Sequence, residues 1–313
     1  MDKQILVVGS LNMDMVIEMD KMPVTGETIL GKTLSYIPGG KGANQACAAG
    51  KLGGSVRMLG CVGADSFGER QIKNLDSAGV NTESICQRVK EPTGTAVIYV
   101  NKEGDNSIVV VAGANGTCDK KYLEQNDKLF QDSEFVVFQM EIPYEAICYG
   151  ISRAHELGKK VVLNPAPAPQ PGEIPDEILS QIDYLTPNET EVIQLGEECG
   201  SDMESIKRGA GKLLDKGVGH VLVTLGSQGV LLVDADGERI FPARKVQAVD
   251  TTAAGDCFNG ALVTRLAEGA SLEEAICFAN CASSIAVTRK GAQSSIPQKS
   301  EVWELMHSDK VVC

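Results

Sequence analysis

Ile5 to Val8 is an unbroken apolar run ended by Gly9. Such a run, without polar alternation, is expected of a parallel strand buried on both faces. Val56 to Gly63 is another strand-like piece, and Phe67 to Ala78 reads as a helix. From Lys120 onward the pattern becomes regular. Strand-like runs at 135–138, 160–163, 182–185 and 219–224 alternate with helical spacing over 143–157, near 189–195 and over 202–216. This alternation predicts an α/β fold: a mostly parallel central sheet with helices on both faces. Proline-rich 165–175 reads as a connection. No repeat or low-complexity linker divides the chain, so residues 1–313 are expected to form a single domain.

Two stretches stand outside this rhythm. Met15-Val16-Ile17, Thr28-Ile29-Leu30 and Thr33 to Ile37 read as small antiparallel strands. Residues 94–111 read as a hairpin about Glu103-Gly104-Asp105. Segments of about 13–37 and 94–111 thus predict a small β-sheet lid beside the main sheet. The first segment contains Gly26-Glu27-Thr28-Ile29-Leu30-Gly31-Lys32-Thr33, a letter-for-letter match to the G-x-x-x-x-G-K-T phosphate loop. No buried strand leads into Gly26 and no helix leaves Thr33. The motif works only between those two elements, so the match is set aside.

A hydrophobic content of 43% and a charged content of 23% over 313 residues are ordinary for a globular protein. The net charge of −13 argues against a nucleic-acid or anionic-membrane partner. Ten cysteines without a CxxC pair, and three distant histidines, give no zinc-ligand spacing. The thiols read as buried and reduced. The chain enters its first strand at once and has no apolar run near 18 residues. No secretion leader and no membrane span are expected, and the expected location is cytoplasmic.

Candidate chemistry concentrates in Val249 to Leu262. Ala253, Ala254 and Gly255 precede Asp256 and then an apolar run of helical spacing, read as amphipathic. Small residues admit a ligand close to the backbone. A helix N-terminus offers an anion open N–H groups and the positive dipole end. Asp256 falls in the first turn, where it would repel a phosphate unless it has a task. Taking a proton from an attacking hydroxyl is such a task. Plain stabilisation of the helix dipole is the alternative.

Gly39-Gly40-Lys41-Gly42-Ala43-Asn44 precedes a small-residue helix running to about Leu52. Its glycines again permit close approach, and Lys41 and Asn44 supply polar reach. Asn12 and Asp14 lie at the carboxyl end of the first strand, where open α/β sheets bind ligands. A turn-forming role is the alternative for both. Polar residues recur past later strand ends: Glu141, Asn164, Asn188 with Glu191, and Thr224-Leu225-Gly226-Ser227-Gln228-Gly229. Asn188 and Glu191 could hold a hydrated Mg²⁺ or simply cap a helix. The last stretch could line a nucleotide or turn a hairpin.

Together these stretches carry a resemblance. Residues 39–46 and 250–256 resemble the two signature segments of the PfkB family of carbohydrate kinases. Asn12-Met13-Asp14 and residues 164–168, 186–191, 224–229 and 287–293 are similar to its ribose-phosphorylating branch. The likeness keeps one order from about residue 4 to 306. It implies a large α/β domain with a β-sheet lid, ATP and D-ribose as substrates, Mg²⁺, a monovalent cation such as K⁺, and a homodimer clasped through the lid.

By likeness, the sugar would be held by Asn12, Met13, Asp14, Gly40, Lys41, Gly42, Ala43, Asn44 and Glu141. Asp256 would be the base, and the amides of Ala253 to Asp256 the anion hole. ATP would contact Asn188, Thr224, Leu225, Gly226, Ser227, Gln228, Gly229, Gly255, Asp256 and Asn280. Glu191 would help organise Mg²⁺ through water. The monovalent cation would sit among Asp250, Thr252, Ala286, Arg289, Gly291 and Ser295. Two positions depart from the family pattern: Thr252, where an aliphatic residue is frequent, and Asn280, where histidine is. The implied reaction is ATP + D-ribose → D-ribose 5-phosphate + ADP. The alternatives are the same fold acting on 2-deoxyribose, another sugar or a nucleoside, and a non-catalytic sugar-binding protein. Retention of Asp256, Gly255, Asn188 and Glu191 weighs against the last.

Overall fold

Ile5 and Val7 of the first strand face one hydrophobic core, and Leu6 and Val8 face another; all four are fully buried. The computed structural model describes residues 3–308. From β1 (Ile5–Val8) the chain passes into β2 (Asn12–Glu18) and β3 (Thr33–Gly39). It returns through α1 (Lys41–Lys51), β4 (Val56–Gly63), α2 (Ser66–Ser77) and β5 (Ile85–Arg88). A second excursion makes β6 (Gly94–Val100) and β7 (Asn106–Val111). α3 (Lys120–Gln125) and α4 (Asp127–Asp132) lead to β8 (Phe135–Phe138), α5 (Tyr144–Glu156), β9 (Lys160–Leu163), α6 (Asp176–Leu179) and β10 (Tyr184–Leu185). Then come α7 (Glu189–Leu195), α8 (Met203–Asp215), β11 (His220–Thr224), β12 (Val230–Asp234) and β13 (Gly237–Phe241). α9 (Ala254–Ala267), α10 (Leu272–Ala286) and α11 (Lys299–Ser308) close the chain as described.

The main sheet has nine strands in the order β13-β12-β11-β10-β9-β8-β1-β4-β5. The pairs from β11 across to β5 are parallel; β12 and β13 add antiparallel. The expected mostly parallel sheet is present, with α1, α9 and α10 on one face and α5, α7 and α8 on the other. Strand order runs outward in opposite directions from β1 and β8. Such a switch point opens a crevice at the carboxyl ends of the strands. Asn12 follows β1 there and Glu141 follows β8.

The second sheet is four-stranded, in the order β3-β2-β6-β7. It differs from the expected set of antiparallel strands in two ways. β2 pairs with β6 in parallel. The chain between them passes through α1, β4, α2 and β5, and a crossover of that kind is what a parallel pair requires. Thr28-Ile29-Leu30 forms no strand; Pro23, Gly26 and Gly31 punctuate it, and Leu30 is 94% exposed. The phosphate-loop lookalike therefore lies in irregular chain that runs into the first residue of β3.

α9 also departs from expectation. It is not amphipathic but buried nearly all round, packed between α1 and α10. Its polar residues are inside because each finds a partner, as Thr264 Oγ1 does on the Gly260 carbonyl at 2.7 Å. The short strands β5 and β13 carry no apolar run and were not legible beforehand. Eight described cysteines are free thiols, and Cys277 is disulfide-bonded rather than reduced. Among the described residues, no helix is long and apolar enough to cross a membrane.

Candidate active site

The centre of the crevice is the start of α9. Ala253 caps this helix at φ 59°, ψ 15°, in the left-handed region that a residue with a Cβ seldom adopts. The Ala254 N–H donates to the Thr251 carbonyl at 3.2 Å, closing a tight turn. This narrows the expected anion hole. The open donors are the N–H groups of Gly255 and Asp256, which find no acceptor among the described residues. Gly255 is exposed, and a Cβ there would meet nothing within 4 Å, so its backbone faces free space.

Asp256 is only 6% exposed. Its Oδ2 accepts from Asn44 Nδ2 at 2.8 Å and its Oδ1 from Gln45 Nε2 at 3.0 Å. Both donors lie on α1, whose entry depends on glycine. Gly40 caps it at φ 88°, where a Cβ would stand 2.6 Å from the Asn12 nitrogen. A Cβ on Gly42 would stand 2.6 Å from the Ser10 nitrogen. The sequence thus seats the first turn of α1 directly against the β1–β2 connection.

The sugar-side candidates gather around that seat. Glu141 Oε2 accepts from Ser10 Oγ at 2.6 Å and from the Lys41 N–H at 3.1 Å. Asn115 donates to Asn12 Oδ1 at 2.7 Å and exchanges two further bonds with the Leu11 backbone. Asp14 lies against Gly39, where a Cβ would stand 2.1 Å from its Oδ2. Asn44 Oδ1 is buried with no partner, an acceptor left for a ligand. Met13 and Ala43 are fully buried, and the Gly42 and Ala43 amides are spent on Ser10.

The cluster is dense in carboxylates. Burial, helped by Glu141 and Asp256, pushes Asp14 up to about 7. Burial also raises Glu191. Burial pulls Lys41 down, but Asp256, Glu141, Glu191 and Asp14 outweigh it, and its ammonium is held above the usual lysine value.

Two cavities meet at the start of α9. The larger, about 390 Å³, is walled by Thr224, Gly226, Ser227, Gly229, Val246, Phe258, Asn280 and Val287. The smaller, about 260 Å³, is walled by Lys41, Asn164, Thr186, Asn188, Glu191, Ala253, Asp256 and Asn259. Thr224, Thr251, Ala254 and Gly255 border both. A mostly apolar chamber opening past helix-terminal amides into a charged one suits a nucleobase followed by phosphates. Leu225 and Gln228 border neither cavity. The stretch 224–229 turns β11 into β12, and its Thr224, Gly226, Ser227 and Gly229 wall the chamber. Asn188 and Glu191 form a capping box, with both bonds at 2.8 Å, and also face the smaller cavity.

The candidate cation residues converge as two tied loops. Asp250 accepts from the Thr252 N–H at 2.9 Å and the Gly291 N–H at 2.8 Å. The Val249 and Asp250 N–H groups donate to the Val287 carbonyl, just past Ala286. Arg289 pairs with Glu301, and Ser295 Oγ donates to the Ala292 carbonyl. The Ala286 carbonyl accepts from the Arg289 N–H at 3.0 Å. Among the described residues no three His, Cys, Asp or Glu side chains converge on a metal.

Sequence reasoning missed Ser10, Gln139, Asn115 and Asn259. Ser10 and Gln139 sit past strand ends, the signal that found Glu141. Asn259 Nδ2 donates to the Gly255 carbonyl at 2.9 Å, and Thr186 Oγ1 donates to Asn259 Oδ1 at 2.6 Å, which fixes the turn from behind.

A family model described as pfkB family carbohydrate kinase matches residues 2–299. A ribokinase of Haemophilus influenzae is 42% identical, over 98% of this chain and 99% of that one. A deoxyribokinase of Salmonella typhi is 36% identical, over 94% and 95%. The structure of Arabidopsis thaliana ribokinase complexed with ribose and ATP superposes with a TM-score of 0.91, at 35% identity and with 98% and 99% coverage. The nine-stranded sheet with its smaller companion is thus the fold of known ribokinases. With a site at the sheet's switch point and a match along nearly its whole length, the chain belongs to the pfkB family of carbohydrate kinases.

Proposed function

We propose that this enzyme is an ATP-dependent kinase of D-ribose that transfers the γ-phosphoryl group to O5. The observation that carries the reading is Asp256, a buried carboxylate at the mouth of a helix with open amides, where two cavities meet. Asn12, Asp14, Asn44 and Glu141 hold the sugar. Asp256 takes the O5 proton as the oxygen approaches phosphorus in line. General-base help of this kind gives roughly 10²–10⁴-fold. The Gly255 and Asp256 amides and Lys41 stabilise the charge spreading over the transferring oxygens. The four-stranded sheet acts as a lid that excludes competing water.

Glu191 has one carboxylate oxygen in its capping bond and faces the cavity, a fit for Mg²⁺ held through water. The ion, carried mainly by nucleotide oxygens, would neutralise phosphate charge. A K⁺ held by Asp250 and the carbonyls of Thr252, Ala286, Arg289, Gly291 and Ser295 would stiffen the turn that builds the anion site. The eight free thiols support a reducing, cytoplasmic setting, and the disulfide at Cys277 stands against it. The exposed apolar edge of β7 supports a homodimer through the lid.

The deoxyribokinase relative favours one second reading, 2-deoxyribose as acceptor. ADP release measured with ribose, 2-deoxyribose, fructose and adenosine tests both. Ribose is expected to give the highest kcat/KM; no release with any acceptor would overturn the proposal.

A further inference from the structure

Behind Asp256 lies a buried pair of amides that the reaction as written does not use. Gln45 Nε2 donates to Asp256 Oδ1 at 3.0 Å and also to Asn164 Oδ1 at 3.2 Å. Gln45 Oε1 accepts from Gln139 Nε2 at 2.8 Å. Gln45 is 1% exposed and Gln139 fully buried, so water replaces neither. The polarity of the pair is forced. A carboxylate only accepts, so Gln45 must turn its NH₂ toward Asp256 and its oxygen back toward Gln139. Gln139 must then turn its own NH₂ forward. Its Oε1 is left buried without a partner, and a Cβ on Gly9 would stand 2.0 Å from it. Glycine at position 9 is what gives Gln139 its place.

We propose that Gln45, aimed by Gln139, is a positioning residue that fixes the rotation of the Asp256 carboxylate so that one oxygen faces the attacking hydroxyl. This rests on the reading of Asp256 as the base. The two oxygens of Asp256 are held by different groups. Asn44 keeps a free buried Oδ1, whereas Gln45 and Gln139 border neither cavity and lie behind the carboxylate; of the groups bonded to Gln45 besides Asp256, only Asn164 walls the smaller cavity. Ligand binding can therefore shift the first contact while the second stays fixed. Orientation matters because small misplacements of a reacting group cost about 10²-fold in rate.

The test uses the full chain and two near-isosteric variants, Gln45→Met and Gln139→Met, assayed by ribose-dependent ADP release. Calorimetric ribose stoichiometry gives the competent fraction. Gln45→Met is expected to lower kcat per competent site about 10- to 100-fold, with the ribose KM within about threefold of wild type. Gln139→Met is expected to lower kcat about three- to tenfold. If Gln45→Met does not fold, Gln139→Met decides on its own. A kcat per competent site within twofold of wild type, or a loss confined to KM, overturns the proposal. Asp256→Asn in the same assay separates the two ideas. If it turns over normally, the base assignment fails. If it is inactive while Gln45→Met is not, only the positioning role fails.

Discussion

Asn44 donates its side-chain amide to Asp256 at 2.8 Å across 212 positions of sequence. The bond joins the first turns of α1 and α9, each entered through small residues. One turn faces the sugar space and the other the phosphate space. Hydrogen bonds to a charged group contribute about 1.5–3 kcal/mol. Asn44→Ala should therefore lower kcat/KM for ribose about 10- to 100-fold, with the ATP KM little changed. Steady-state kinetics with each substrate varied checks this; equal losses toward both substrates would contradict it.

Ala253 holds the phosphate-side turn in a conformation that disfavours a Cβ. The left-handed region costs an ordinary residue roughly 1–2 kcal/mol, and glycine returns part of this through its looser unfolded chain. Ala253→Gly should therefore unfold within about 1 kcal/mol of wild type, on the stable side, and keep turnover. Ala253→Val should be destabilised by about 2 kcal/mol and lose at least tenfold in kcat. Denaturant unfolding and initial rates on both variants decide it.

The Asp14 carboxyl is pushed up to about 7 by burial, with Glu141 and Asp256 adding to it and Lys41 opposing. An acid whose folded value lies above its unfolded value of 3.8 favours folding while protonated. That contribution is complete below about pH 4 and is lost as pH rises through 7. Without sugar, the protein should lose stability over this window. Asp14→Asn should remove about 1–2 kcal/mol of the difference, allowing for solvent in the open pocket. Thermal melts at pH 4.5 and pH 8 check it: the variant should exceed wild type only at the higher pH.

The parallel sheet was legible because β1, β8 and β9 are apolar runs ended by turn signals. The site was legible where chemistry clustered in sequence, as at residues 39–46 and 250–256. Asn115 was not, because a single amide in a loop carries no local pattern; Gln139 lies past a strand end, but that position alone does not say which residue it meets. Only the fold brings them to Gln45 and Asn12. Thr28 to Leu30 misled because alternation marks a strand only where a partner strand is available. α9 misled because its buried polar residues imitate an exposed face.

β7 leaves Ile108, Val109, Val110 and Val111 each more than half exposed on a sheet edge. Edges of this kind are covered or charged in stable monomers. Val110→Glu should shift sedimentation from dimer toward monomer at micromolar concentration. A wild-type chain that sediments as a monomer would remove the lid-clasped dimer.

Asp256→Asn is the most direct test of the central claim. Its one side-chain oxygen can still accept from Gln45 Nε2, while Asn44 must turn its free Oδ1 toward the new NH₂, and the variant should bind ribose by calorimetry with affinity within about tenfold of wild type. Its ribose-dependent ADP release should fall by roughly 10²–10⁴-fold. Ribose binding together with wild-type release would contradict the account, because some other group would then be taking the proton.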